Sequence, residues 1–140
     1  MRAVCIARHR ILSEHYRAYF AALAVDAVPA VGFEEGMRLA REGPADVVIC
    51  DYDVLVAARL ARRERDPALA AIPIVAVSLT RRPEEARTVD GSGIAGFLYL
   101  PMLREEDVAC LLRAFAGRGV VAPADAFRWP PAPRDPQRRA

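Results

Sequence analysis

Three apolar segments constrain the fold of this chain more than anything else in it: PADVVICD ending at Asp51, IPIVAVS ending at Ser78, and GFLYLPM around Leu100 and Pro101. Each has strand length, runs without polar alternation and closes on a polar or turn residue. A strand that is apolar at every position must be covered on both faces, which is the pattern of a buried parallel sheet. In such sheets the carboxyl ends of the strands border the binding crevice. The pattern therefore gathers Asp51, Ser78 and Leu100 at one edge.

The intervening residues supply the crossovers. Ala3 to Ala7 reads as a short strand, followed by a helix from an N-cap at Ser13 to about Val25, with Tyr16, Tyr19, Phe20 and Leu23 at three- and four-residue steps. Ala27 to Val31 is a brief strand whose Pro29 assigns it to a sheet edge. Gly32 opens a second helix closed by Gly43 and Pro44, and Val54 to Arg65 makes a third. Only a short helix fits Pro83 to Val89 before Asp90-Gly91-Ser92-Gly93, and Arg104 to Phe115 is the last, after a strand from Phe97 to Leu100. Five strands alternating with five helices predict an α/β, flavodoxin-like, doubly wound parallel sheet in the order 2-1-3-4-5, with helices on both faces. Residues 1-119 form this domain, and the proline- and arginine-rich stretch 120-140 reads as a disordered or extended tail.

Composition removes several classes of function. The 140 residues, 54% of them hydrophobic, suffice for one ordinary core. A net charge of +2 from 20 basic and 18 acidic residues creates no field that would draw nucleic acid, and every basic residue is an arginine. The longest uncharged stretch, Pro67 to Thr80, is broken by Pro73 and too short to span a bilayer, and the N-terminus lacks a secretory pattern. A cytoplasmic protein without membrane association is expected. Cys5, Cys50 and Cys110 lie in apolar segments without metal-ligand spacing and are expected to be reduced, buried thiols, the first two on adjacent strands. His9 and His15 join no nucleophile–base pair, and Gly91-Ser92-Gly93 lacks the length and the lysine of a phosphate loop.

From Met1 to about Gly117 the chain resembles the receiver domain of two-component response regulators. The segment PADVVICD matches the strand that delivers the family's phosphoacceptor aspartate, which gives that position to Asp51. Ser78 stands where the family has a Ser or Thr that follows the phosphoryl group, Phe97 where it has a switching aromatic, and Pro101 after the position of its lysine. The departures fall in the catalytic machinery. Receivers carry a Mg²⁺-binding acidic pair just after the first strand, whereas this chain has Ala7-Arg8-His9-Arg10, and the lysine position is Leu100. A hard divalent cation wants several oxygen ligands, and leucine donates nothing. Phosphoryl transfer depends on positioning and charge neutralisation, so both losses strike its centre. The resemblance thus implies a degenerate phosphoacceptor site, or pseudo-receiver, of Asp51, Ser78, Leu100, Ala7 and Arg8, with no catalytic residue, no metal and Mg²⁺ binding lost. Arg8 is either a guanidinium that stands beside Asp51 in place of the metal or an exposed loop arginine.

The expected function is that of a non-enzymatic signalling adaptor acting through phosphorylation-independent protein–protein interaction, its partner another signalling protein, with homodimerisation left open. In the family the face built from the fourth helix, fifth strand and fifth helix mediates output or dimerisation, which makes Phe97, Tyr99, Pro101 and Met102 the interaction candidates. Two other readings stay open. One is a phosphoacceptor response regulator that uses Asp51 with non-standard helpers. The other is a nucleic-acid-associated protein that uses Arg128, Arg134, Arg138 and Arg139 of the tail with Trp129 as a stacking residue, an outcome the overall charge disfavours.

Overall fold

The computed structural model describes residues 1–57, 69, 71–80 and 94–118. The tail over 120-140, the far part of the third helix and the short helix expected over Pro83 to Val89 lie outside the described residues. Strands β1 (Arg2–Ala7), β2 (Asp26–Val31), β3 (Val47–Asp51), β4 (Ile74–Ser78) and β5 (Ile94–Tyr99) alternate with helices α1 (Arg10–Ala21), α2 (Phe33–Glu42), α3 (Tyr52–Ala57) and, after a 3₁₀ turn at Leu100–Met102, α4 (Glu105–Arg118). The five strands form one parallel sheet in the order β2-β1-β3-β4-β5, the flavodoxin-like arrangement. The expected topology is therefore the observed one.

Burial follows the period-two rule of a strand. Ala3, Cys5 and Ala7 of β1 face the side covered by Tyr16 and Phe20 of α1 and by Val108, Leu112 and Phe115 of α4. Val4 and Ile6 face the opposite layer, with Met37 and Ala40 of α2 and Val54 and Leu55 of α3. Strands β3 and β4 are buried at every position, whereas β2, with Pro29, is the partly exposed edge. Two glycines set the distance between layers. A Cβ on Gly36 of α2 would collide with the Ile6 side chain, and one on Gly96 of β5 would fall inside the Phe115 ring.

The same alternation separates the two buried thiols, which lie on adjacent strands as expected. Cys5 pairs in register with Ile49, not with Cys50, so the two sulfurs enter opposite layers of the sheet. Burial pushes the Cys5 thiol up to about 12 and the Cys50 thiol well above its usual value, which leaves both inert at neutral pH. Cys110 departs from expectation differently, since it is exposed on α4.

Several boundaries also move. Helix α1 starts at Arg10, and its N-cap is His9, whose Nδ1 accepts the Leu12 amide at 3.2 Å. Ser13 is not the cap; it is buried inside the helix and donates its hydroxyl to the Arg10 carbonyl at 3.0 Å. A histidine cap has the same geometric logic as an Asn or Ser cap but a weaker statistical signature. Helix α3 begins at Tyr52, and β5 begins at Ile94, three residues before Phe97, because Gly96 is a strand residue under a ring rather than a turn residue.

Beyond α1 the chain turns with Ala24 at φ 63°, and the Val25 amide donates back to the Phe20 carbonyl at 3.1 Å. This is the left-handed stop that glycine ordinarily occupies, because an L side chain is strained there. Ala24→Gly is expected to stabilise the domain by roughly 1 kcal/mol, seen as a higher urea midpoint at unchanged slope.

Candidate functional site

The carboxyl edge of the sheet is assembled by chain geometry. Strands β1, β3, β4 and β5 end there with Ala7, Asp51, Ser78 and Tyr99, and register sets Asp51 beside Val77, one residue before Ser78. Asp51 and Ser78 are thus brought to neighbouring strand ends, as the three segments require. Ser78 in turn pairs with Tyr99.

Asp51 is 5% exposed and both of its carboxylate oxygens are engaged. Oδ1 accepts the hydroxyl of Tyr16 at 2.7 Å, a buried bond across the layer from α1. Oδ2 accepts the Asp53 amide at 3.3 Å. Burial raises the Asp51 pKa above that of an ordinary aspartate; the Tyr16 hydrogen bond opposes this, the like charge of Asp53 adds to it, and the Asp53 amide and Arg8 oppose it. Burial likewise raises Tyr16, with the bond to Asp51 next in size, so its hydroxyl stays a donor.

Arg8 does not pair with Asp51. Its guanidinium lies 3.7 Å from Asp53 Oδ2 and is largely exposed, and it reaches Asp51 only as a minor through-space influence. Of the two readings of Arg8, the structure agrees with the exposed arginine and not with a guanidinium held beside Asp51, whose pKa is raised. Strand β1 ends at Ala7, whose methyl is buried towards α1, so the next side chain leaves the sheet over the rim and meets the first acid beyond Asp51. A pair this exposed contributes little, on the order of 0–1 kcal/mol.

Ser78 is buried, and its Oγ accepts the Thr80 amide at 3.2 Å, a local turn bond. Leu100 opens the 3₁₀ turn and is 7% exposed, packed in the layer that holds Leu98 and Val108. Phe97 is 1% exposed and points into the opposite layer, where its ring meets Tyr52 edge-on at a centroid distance of 5.6 Å. It offers no surface to a partner, contrary to its expected place among the interaction residues. Tyr99 is half-buried in the same layer, whereas Pro101 and Met102 are exposed.

Three participants are not visible in the sequence pattern. Tyr16 reads only as part of the apolar stripe of α1, and neither Tyr52 nor Asp53 belongs to a motif that marks it as part of a site. The signal that could find them is chemical: a tyrosine on a buried stripe still needs a partner for its hydroxyl, and a strand-end aspartate is the acceptor such a core offers.

Several solved structures share this fold. The chemotaxis protein CheY4 of Vibrio cholerae is 16% identical, with a TM-score of 0.59 over 81% of this chain and 97% of that one. A response regulator receiver domain protein from Clostridium thermocellum is 16% identical, with a TM-score of 0.60 over 84% of this chain and 94% of that one. A sensor protein from Polaromonas sp. JS666 is 14% identical, with a TM-score of 0.68 over 84% and 96%. No protein-family model and no curated protein matches the chain. At these identities the likeness establishes the fold.

Proposed function

We propose that this chain is a cytoplasmic signalling adaptor of receiver fold that acts by binding another protein and does not itself carry a phosphoryl group. The observation that supports this best is the double engagement of Asp51, whose two oxygens are held by the Tyr16 hydroxyl and the Asp53 amide. An attacking carboxylate must present a free oxygen in line with the donor, and the bond to Tyr16 removes the more strongly held one from that role. The surroundings point the same way. Ala7 offers a methyl, Arg8 a cation and Leu100 a core side chain, a set that suits neither a hard divalent cation nor the charge of a transferring phosphoryl group. No helix among the described residues is long and apolar enough to cross a membrane.

Incubation of the full chain with Mg²⁺ and acetyl phosphate, followed by intact-mass measurement, is expected to show no added phosphoryl group. Asp51→Asn is expected to leave partner binding unchanged, because the amide oxygen still accepts from Tyr16. Stoichiometric modification that disappears in Asp51→Asn would establish the phosphoacceptor reading instead.

A further inference from the structure

The direction of each backbone amide in β2 is fixed by the bonds at the two ends of the strand. Asp26 donates to the Met1 carbonyl at 3.0 Å and Gly32 to the Ala7 carbonyl at 2.9 Å, both towards β1. Backbone groups of successive strand residues alternate between the two sides, so Val28 and Ala30 also face β1, whereas Ala27, Pro29 and Val31 face away from the sheet. Pro29 fits this parity, since a residue without an N–H costs the ladder nothing on the outer side. Among the described residues β2 ends the sheet, and no strand lies beyond it.

An outer row of amides and carbonyls is a template for another strand. Here most of its donors are withdrawn. Pro29 has none, and the Val31 amide donates to Glu35 Oε2 at 2.6 Å. Glu35 reaches it from the first turn of α2, and its other oxygen, Oε1, lies 3.8 Å from Arg38. Val31 is itself 38% exposed, so an unguarded edge would offer an apolar side chain together with the donor.

We propose that Pro29 and Glu35 close this edge against strand pairing with a second copy of the chain. The pairing they prevent is defined by register. Two β2 strands related by a twofold axis through Pro29 run antiparallel and set Ala27 of each copy opposite Val31 of the other, in hydrogen-bonded pairs, with the prolines facing each other at the centre. In that arrangement the prolines donate nothing and both Val31 amides are already bound, which leaves only Ala27 of each copy to donate. The Glu35 bond also braces the start of α2 in the manner of a capping box. A brace alone predicts lost stability and no new pairing when Glu35 is replaced, whereas closure predicts that pairing appears. The closure does not depend on Asp51 or on the adaptor reading.

Sedimentation velocity and amide exchange of the full chain, with Pro29→Val, Glu35→Ala and the double substitution, test this. In the wild type the Val31 amide is expected to exchange at least about tenfold more slowly than that of Ala27, and Glu35→Ala should bring the two to similar rates in dilute protein. The double variant should associate reversibly with a Kd at least about tenfold below that of the wild type, and its Ala27 and Val31 amides should gain protection together as the dimer forms. Each single variant should fall between. Circular dichroism should be unchanged in all of them, because β2 is the partly exposed edge. A double variant that associates no more than the wild type, an association that leaves Ala27 and Val31 unprotected, or a wild-type Val31 amide that exchanges as fast as that of Ala27 would each overturn the proposal.

Discussion

Tyr16→Phe is expected to destabilise the domain by about 2–4 kcal/mol at neutral pH, far more than the loss of one exposed hydroxyl would. The ring stays in place, so no cavity forms, but Asp51 Oδ1 loses its donor inside the protein. The pH dependence identifies the cause. Because the folded-state pKa of Asp51 is raised, the wild type is most favoured, as far as this group is concerned, below the unfolded value near 3.8, and loses that contribution as pH rises through the folded value. Removing the bond that opposes the rise moves the folded value higher still. The deficit of Tyr16→Phe should therefore be largest at neutral pH and shrink as Asp51 takes up its proton. Urea unfolding at several pH values measures this, and Asp51→Asn in the same background should recover most of the loss. A deficit that does not vary with pH would assign the cost to packing.

Gly96→Ala is expected to cost roughly 3 kcal/mol, as large as many deletions in a core. The added methyl would enter the Phe115 ring, which is 2% exposed and closed in by the residues packed between β5 and α4. Neither backbone nor ring can withdraw without moving α4 off the sheet. Gly117→Ala, on the same helix but facing open space, is the matched control and should be neutral or stabilising by up to about 1 kcal/mol. A urea midpoint for Gly96→Ala equal to that of the wild type would mean that the layer spacing is not set there.

The layout of the sheet is legible in the sequence because its central strands are apolar at every position, and because a proline within a strand, here Pro29, is tolerated at an edge and not at the centre. Positions that depend on one residue of register are not legible. The separation of Cys5 from Cys50 follows from a single step along β3, and the meeting of Arg8 with Asp53 rather than Asp51 follows from where β1 stops. Gly96 opens the apolar segment GFLYLPM, yet the sequence does not show why a glycine stands there, because its reason lies in the ring above it. The Tyr16 bond joins residues 35 apart in the chain, and no local pattern encodes such a pair.

Leu100 also constrains how the sequence can change by descent. Its side chain is part of the layer beneath α1 and α4, so a lysine there would have to bury an ammonium or pull the turn before α4 open to reach water. An acid at Ala7 meets the same obstacle, because that methyl is wholly enclosed. Each charge would be harmful to the fold when acquired alone, and neither would bring a benefit until the other was present. A sequence with this core would therefore have to lose stability at Ala7 or at Leu100 before it could hold both charges.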